Sequence, residues 1–146
     1  MHDIIAYDIN ENNMSITPAY QTSAIATGGR DGVAHTEDGT FEVRLAAPTE
    51  LGGTGNGNNP EQLFAAGYAA CFLGAMKFAT TQDATLAKVP DGAEVKATVG
   101  IGPRADVGFG LVVRLEVSLP GLDAAEAQRT VDAGHTICPY SHAVNG

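Results

Sequence analysis

Only two thiols occur in this 146-residue chain, Cys71 and Cys138, and their settings differ. Cys71 lies inside the apolar run NPEQLFAAGYAACFLGAMKFA, whereas Cys138 belongs to HTICPYSHA. A free cysteine in an apolar segment commonly packs as a small, inert, buried hydrophobe. The alternative is redox work, which needs a thiolate and hence a pKa below the ordinary ~8.5. Burial moves a thiol the opposite way, so a permanent cation has to be supplied. Five arginines are available. Arg44 and Arg114 alternate with apolar residues and read as solvent-facing, Arg104 falls in a turn, and Arg129 lies on the polar side of a helix. Arg30 alone sits in an unusual backbone setting, the glycine turn GGRDG, although an arginine in such a turn is more often a surface residue.

Other chemistries make demands that the residues meet poorly. His135 and Cys138 have a spacing that suits a metal, but no third or fourth ligand accompanies them. His135 reads instead as a helix-end histidine bonded to backbone. A Cys–His hydrolase would need one of the four histidines beside Cys71, and nothing places one there. The loop GGTGNGNNP is glycine-rich like a phosphate cradle yet lacks the Lys-Ser/Thr ending. The helix it opens starts with Pro60, which has no N–H, and Glu61, which repels an anion. It reads as a structural loop.

Composition narrows the setting. A formal net charge of −9 argues against nucleic acid, whose phosphates require clustered Lys and Arg. Two cysteines are too few for the disulfide framework of a small secreted domain. The start, MHDIIAYDINENN, is acidic and polar, unlike a signal peptide. The longest uncharged apolar run, residues 63–76, is short for a membrane span. A cytoplasmic protein with reduced cysteines and no membrane partner is expected.

The elements that must hold these side chains can be read in outline. Residues 1–13 look like an extension, with Met14 an alternative start, and 14–146 a single domain. Residues 20–27 (YQTSAIAT) have strand composition, and 41–45 (FEVRL) alternate as a half-buried strand does. Asn59 is a credible N-cap, with Pro60 at the first position of a long helix. That helix is apolar almost all round and rich in Ala and Gly, so burial on most faces is expected. Its small residues would admit a close helical neighbour, for which a second subunit is a candidate. Residues 94–101 and 109–119 form a hairpin around the turn GPRADVG. A second helix begins at Asp123, with Glu126 completing a capping box, and runs to Cys138, where Pro139 stops it. Antiparallel strands with segregated helices make an α+β fold.

Five stretches in order, ATGGRDG (26–32), APTELGG (47–53), NPEQLFAAGYAACF (59–72), LPGLD (119–123) and HTICPYS (135–141), carry a resemblance. The chain resembles the organic hydroperoxide resistance (Ohr) branch of the OsmC/Ohr group of thiol peroxidases, over most of its length from about Ser15. The resemblance implies Cys71 as peroxidatic cysteine, Cys138 as resolving cysteine, Arg30 as the arginine holding the thiolate and Glu61 as its acidic partner. It also implies an intertwined homodimer that reduces organic hydroperoxides, including lipid-derived ones, and is recycled by dihydrolipoamide or lipoylated proteins, with neither cofactor nor metal. A non-catalytic sensor using the same disulfide as a switch is the alternative. Phe64, Tyr68, Phe72 and Phe78 would line the site for an apolar substrate, or simply pack the core. The family usually has asparagine where His142 stands, an Ala-Thr-Arg-Gly-Asn run near residues 143–146, and a closing strand beyond Gly146.

Helix geometry adds a constraint. Ten residues separate Glu61 from Cys71, about 15 Å along a continuous axis at 1.5 Å per residue. If both meet Arg30, either the helix breaks or a partner subunit supplies one of them.

Overall fold

The computed structural model describes residues 4–6, 9 and 15–145. Met14, Gly146 and most of the extension expected over 1–13 lie outside the described residues. Strands β1 (Ala24–Thr27), β2 (Val33–Thr36) and β3 (Glu42–Arg44) form an antiparallel sheet in that order. The strand expected over 20–27 is confined to its last four residues. Strand β2 was not legible, because VAHT is short and abuts two glycine-rich turns.

Strands β4 (Glu94–Pro103) and β5 (Phe109–Ser118) form the expected hairpin. Its register sets Val95 opposite Val117, Ala97 opposite Leu115 and Val99 opposite Val113, which puts these apolar side chains on one face. Lys96 faces Glu116 and Thr98 faces Arg114 on the other. The fold is α+β with two antiparallel sheets, as expected.

Helix α1 (Pro60–Gln82) starts at a complete capping box. Gln62 donates its N–H to Asn59 Oδ1 at 2.9 Å, and Asn59 N–H reaches Gln62 Oε1 at 3.1 Å. By length and apolar composition α1 would also suit a bilayer, which its uncharged stretch alone did not show. Here Tyr68, Phe72, Ala75, Met76 and Ala79 form a buried stripe, and α1 packs against α2 (Ala124–Ile137) and β4. Each large side chain so buried contributes roughly 1.5–3 kcal/mol. Burial on most faces is not what one chain shows. Ala66, Ala70, Gly74 and Phe78 recur every four residues along an exposed stripe. The small residues do admit a close neighbour, but at Gly67 it is Tyr140 of α3 (Pro139–Val144) in the same chain.

Helix α2 is capped by Asp123, whose Oδ1 accepts from Glu126 N–H at 2.8 Å; the return bond from Glu126 is not among the described contacts. It ends at Ile137, and Pro139 then opens α3 rather than only stopping a helix. A Cβ on Gly134 would lie 2.5 Å from Met76 Cγ and 3.4 Å from its Cα, and Met76 is fully buried. Helix propensity favours alanine over glycine by about 1 kcal/mol. Overpacking a tight core costs typically 1–3 kcal/mol and grows with added bulk. Gly134→Val is therefore expected to lose about 2 kcal/mol in urea unfolding, and an unchanged midpoint would contradict this account of the α1–α2 contact.

Candidate active site

The turn carrying Arg30 is held by its glycines. Gly28 and Gly29 have φ of 77° and 63°, where L side chains are strained, and a Cβ on Gly32 would overlap the Thr27 carbonyl oxygen. Asp31 pins the turn from outside, its Oδ1 accepting from Ala47 N–H at 3.2 Å. Arg30 is thereby aimed at the first turn of α1. Its guanidinium makes a two-pronged contact with Glu61, 2.9 Å to Oε2 and 2.7 Å to Oε1. The hydrogen bond from Arg30 holds the Glu61 carboxyl below its ordinary range, against the opposing effect of burial. The carboxylate is therefore charged at neutral pH. Its contribution to stability is present above the ordinary carboxylate pKa and is lost as pH falls through the depressed value.

The loop GGTGNGNNP is structural, as expected. Gly53 and Gly55 donate their N–H groups to the Pro48 and Ala47 carbonyls, and Asn58 donates to Arg44. Those donors are used by the chain itself and cannot cradle a phosphate.

Cys71 and Cys138 come together from 67 positions apart, with Sγ atoms at 3.8 Å. Closing to a disulfide needs about 2.05 Å, a rotamer-scale movement. Cys138 is fully buried where α2 meets α3, while Cys71 is half-buried. Burial pushes the Cys71 thiol above its ordinary value, the backbone N–H of Tyr140 opposes this, and neighbouring Cys138 adds to the rise. Among the described residues neither a histidine nor an arginine hydrogen-bonds Cys71. Helix α1 is unbroken from Pro60 to Gln82, so about 15 Å of axis separates Glu61 from Cys71. One chain thus presents two half-sites, a guanidinium–carboxylate pair and a dithiol.

A family model described as OsmC-like protein matches residues 53–146. The organic hydroperoxide resistance protein of Xanthomonas axonopodis pv. citri is 51% identical over 128 residues, which cover 87% of this chain and 88% of that one. The chain belongs to the OsmC/Ohr family. Solved structures agree. The organic hydroperoxide resistance protein OsmC of Legionella pneumophila has a TM-score of 0.81 at 41% identity, covering 89% of this chain and 93% of its own. OhrB of Bacillus subtilis has 0.75 at 37%, covering 87% and 92%.

The remaining expectations sort by burial. Within this OsmC/Ohr chain Tyr68 and Phe72 are 3% and 2% exposed. Both face the core formed with α2 and the β4–β5 hairpin, so they do not line an open site as expected. Phe64 and Phe78 stay at least partly open, seven residues either side of Cys71 and so on nearly the same helix face. Tyr140, missed in the sequence, joins them, its ring 6.1 Å from Phe64 and 5.7 Å from Tyr68. Its position after Pro139 at a helix start was the available signal. His135 lies exposed in the last turn of α2 and makes none of the expected backbone bonds. No three His, Cys, Asp or Glu residues gather at metal-binding distance among the described residues.

Three of the other arginines are engaged elsewhere, and Arg44 is exposed on β3. Arg104 pairs with Asp106, Arg114 approaches Glu116, and Arg129 donates to Thr85.

Exposure alone should separate the two thiols. Native protein is expected to alkylate once per chain, at Cys71, and twice after unfolding. Cys71→Ser should abolish native labelling, and equal native labelling of Cys138, read by mass, would contradict its burial.

Proposed function

We propose that this protein is a thiol peroxidase that reduces organic hydroperoxides to alcohols. The observation that carries the reading is the half-exposed Cys71 thiol facing a fully buried second thiol at 3.8 Å. The named relatives, organic hydroperoxide resistance proteins, support the substrate class. Thiolate Cys71 attacks one peroxide oxygen, the O–O bond breaks, and the alkoxide takes a proton and leaves as alcohol. Cys71 keeps the other oxygen as a sulfenic acid. Cys138 condenses with it, releasing water and forming a disulfide. An external dithiol such as dihydrolipoamide, free or on a lipoylated protein, reopens that bridge by attack at the accessible Cys71 sulfur. Phe64, Tyr140 and Phe78 would contact an apolar alkyl group. A reducing cytoplasm suits both thiols.

The cation is the missing part of a single chain, and a homodimer supplies it. Two α1 helices related by a two-fold axis and crossing midway between positions 61 and 71, at Ala66, bring Glu61 and Arg30 of one chain level with Cys71 of the partner subunit. The uncovered surface supports such a partner. Ala66, Ala70 and Gly74 leave room for close approach, and Phe78, Phe109, Leu111 and Val112 are 54%, 72%, 45% and 75% exposed. The arriving guanidinium would reverse the upward shift that burial imposes on the thiol.

Cumene hydroperoxide with dihydrolipoamide should be consumed catalytically, and Cys71→Ser should abolish turnover. A single stoichiometric oxidation without turnover would instead favour a redox sensor. Arg30→Ala should slow peroxide reduction about a hundredfold without unfolding, the scale of losing one preorganised electrostatic contact. Mixing Arg30→Ala chains with Cys71→Ser chains after reversible dissociation should restore about a quarter of wild-type activity, through one intact site in each mixed dimer. No recovery would place arginine and thiol in the same chain.

A further inference from the structure

A second contact ties the thiol-bearing segments together, and neither the dithiol nor the arginine pair requires it. Tyr68 Oη and Ser141 Oγ lie 2.7 Å apart, with the two residues 3% and 1% exposed. Tyr68 precedes Cys71 by three residues on α1, and Ser141 follows Cys138 by three on α3. Each hydroxyl therefore sits about one turn from a thiol on the same face of its helix. The pairs Cys71–Cys138 and Tyr68–Ser141 are two adjacent rungs between α1 and α3.

Cys138 needs such a rung because it is a hinge. It closes α2, donating its N–H to the Gly134 carbonyl at 2.8 Å, and opens α3, where its own carbonyl accepts from His142 N–H at 3.0 Å. Its backbone is extended, with φ −63° and ψ 120°, so neither helix alone sets where its sulfur points. Helix α3 has only six residues, too few to hold its shape without tertiary contacts. The hydroxyl pair docks it together with Tyr140, which packs over Gly67 and against the Phe64 and Tyr68 rings. A hydrogen bond between two buried hydroxyls is hard to surrender, because breaking it leaves both without water.

We propose that the Tyr68–Ser141 hydrogen bond is a positioning device that holds Cys138 for attack on oxidised Cys71, and so selects disulfide over further oxidation. The inference rests on the peroxidase reading. Once Cys71 is a sulfenic acid, two reactions compete. In one, the Cys138 sulfur attacks Cys71 Sγ, an S–S bond forms, the S–O bond breaks, and hydroxide leaves with the Cys138 proton as water. In the other, a second hydroperoxide passes one oxygen to the sulfenic sulfur, giving a sulfinic acid and an alcohol. The first depends on where Cys138 is held. The second depends only on access to Cys71. Among the described contacts neither hydroxyl hydrogen-bonds a sulfur, so each acts through the placement of Cys138.

The test compares wild type with Ser141→Ala, Tyr68→Phe and the double variant. Each is oxidised once with cumene hydroperoxide and read by intact mass. Ser141→Ala should oxidise Cys71 at a rate within about twofold of wild type, yet give about tenfold more sulfinic acid relative to disulfide. Tyr68→Phe should shift the product ratio similarly, and the double variant no further than either single, as two ends of one bond require. A second readout uses no peroxide: equilibration of the Cys71–Cys138 disulfide with glutathione. There Ser141→Ala should make the disulfide about tenfold less favoured, about 30 mV for a two-electron couple. Unchanged product ratio and unchanged glutathione equilibrium in Ser141→Ala would overturn the proposal. Wild-type protein that never reacts with hydroperoxide would refute the peroxidase reading separately, and the glutathione equilibrium would still decide whether the rung positions Cys138.

Discussion

A thiol on an apolar helix is held in its neutral form by the surroundings that bury it, and a nearby fixed positive charge reverses this. Everything else about the site follows from how α1 deals with that conflict. The helix is rigid through all 23 residues, anchored by the Asn59–Gln62 capping box and carrying no proline after its first position. Glu61 and the arginine bound to it are therefore fixed at one end, and Cys71 three turns away. In one chain the cation is spent on a carboxylate, and the thiol has only burial, the Tyr140 N–H and a second thiol around it.

Small residues settle what can come close to this rigid rod. Gly134 lets α2 lie against Met76, and Gly67 lets the Tyr140 ring lie against α1, so Cys138 arrives beside Cys71 from the far end of the chain. Small residues recur on the stripe of Ala66, Ala70 and Gly74, which stays exposed among the described residues. A helix apolar almost all round but buried along one stripe leaves apolar surface open in a single chain. The two thiols also differ in a way suited to sequential chemistry. The outer one is open to a reagent from solution, and the inner one is closed off from it.

Much of this was legible from residues alone. The β4–β5 hairpin followed from alternation on either side of the GPRADVG turn, the start of α1 from Asn59 and Pro60, and the start of α2 from Asp123. Arg30 and Glu61 were named only through resemblance to a family, since an arginine in a glycine turn is ordinarily a surface residue. Strand β2 and helix α3 were missed. VAHT lacks the length for a periodic signal, and Pro139 can end one helix or begin the next with equal local justification. Missing α3 meant missing Tyr140 and Ser141.

By itself, then, the sequence determined the local periods, the caps, the turn that only glycines can make, and the ten-residue interval that keeps Glu61 from Cys71. These are properties of neighbouring residues, and backbone geometry enforces them wherever the chain goes. Tertiary structure alone decided that the two thiols meet, that Tyr68 and Phe72 turn into the core while Phe78 stays out, and that Tyr68 and Ser141 share a buried hydrogen bond. The thiol pair and the hydroxyl pair join residues 67 and 73 positions apart, where no periodicity reaches and only the packing of α1 against α2 and α3 brings the side chains face to face.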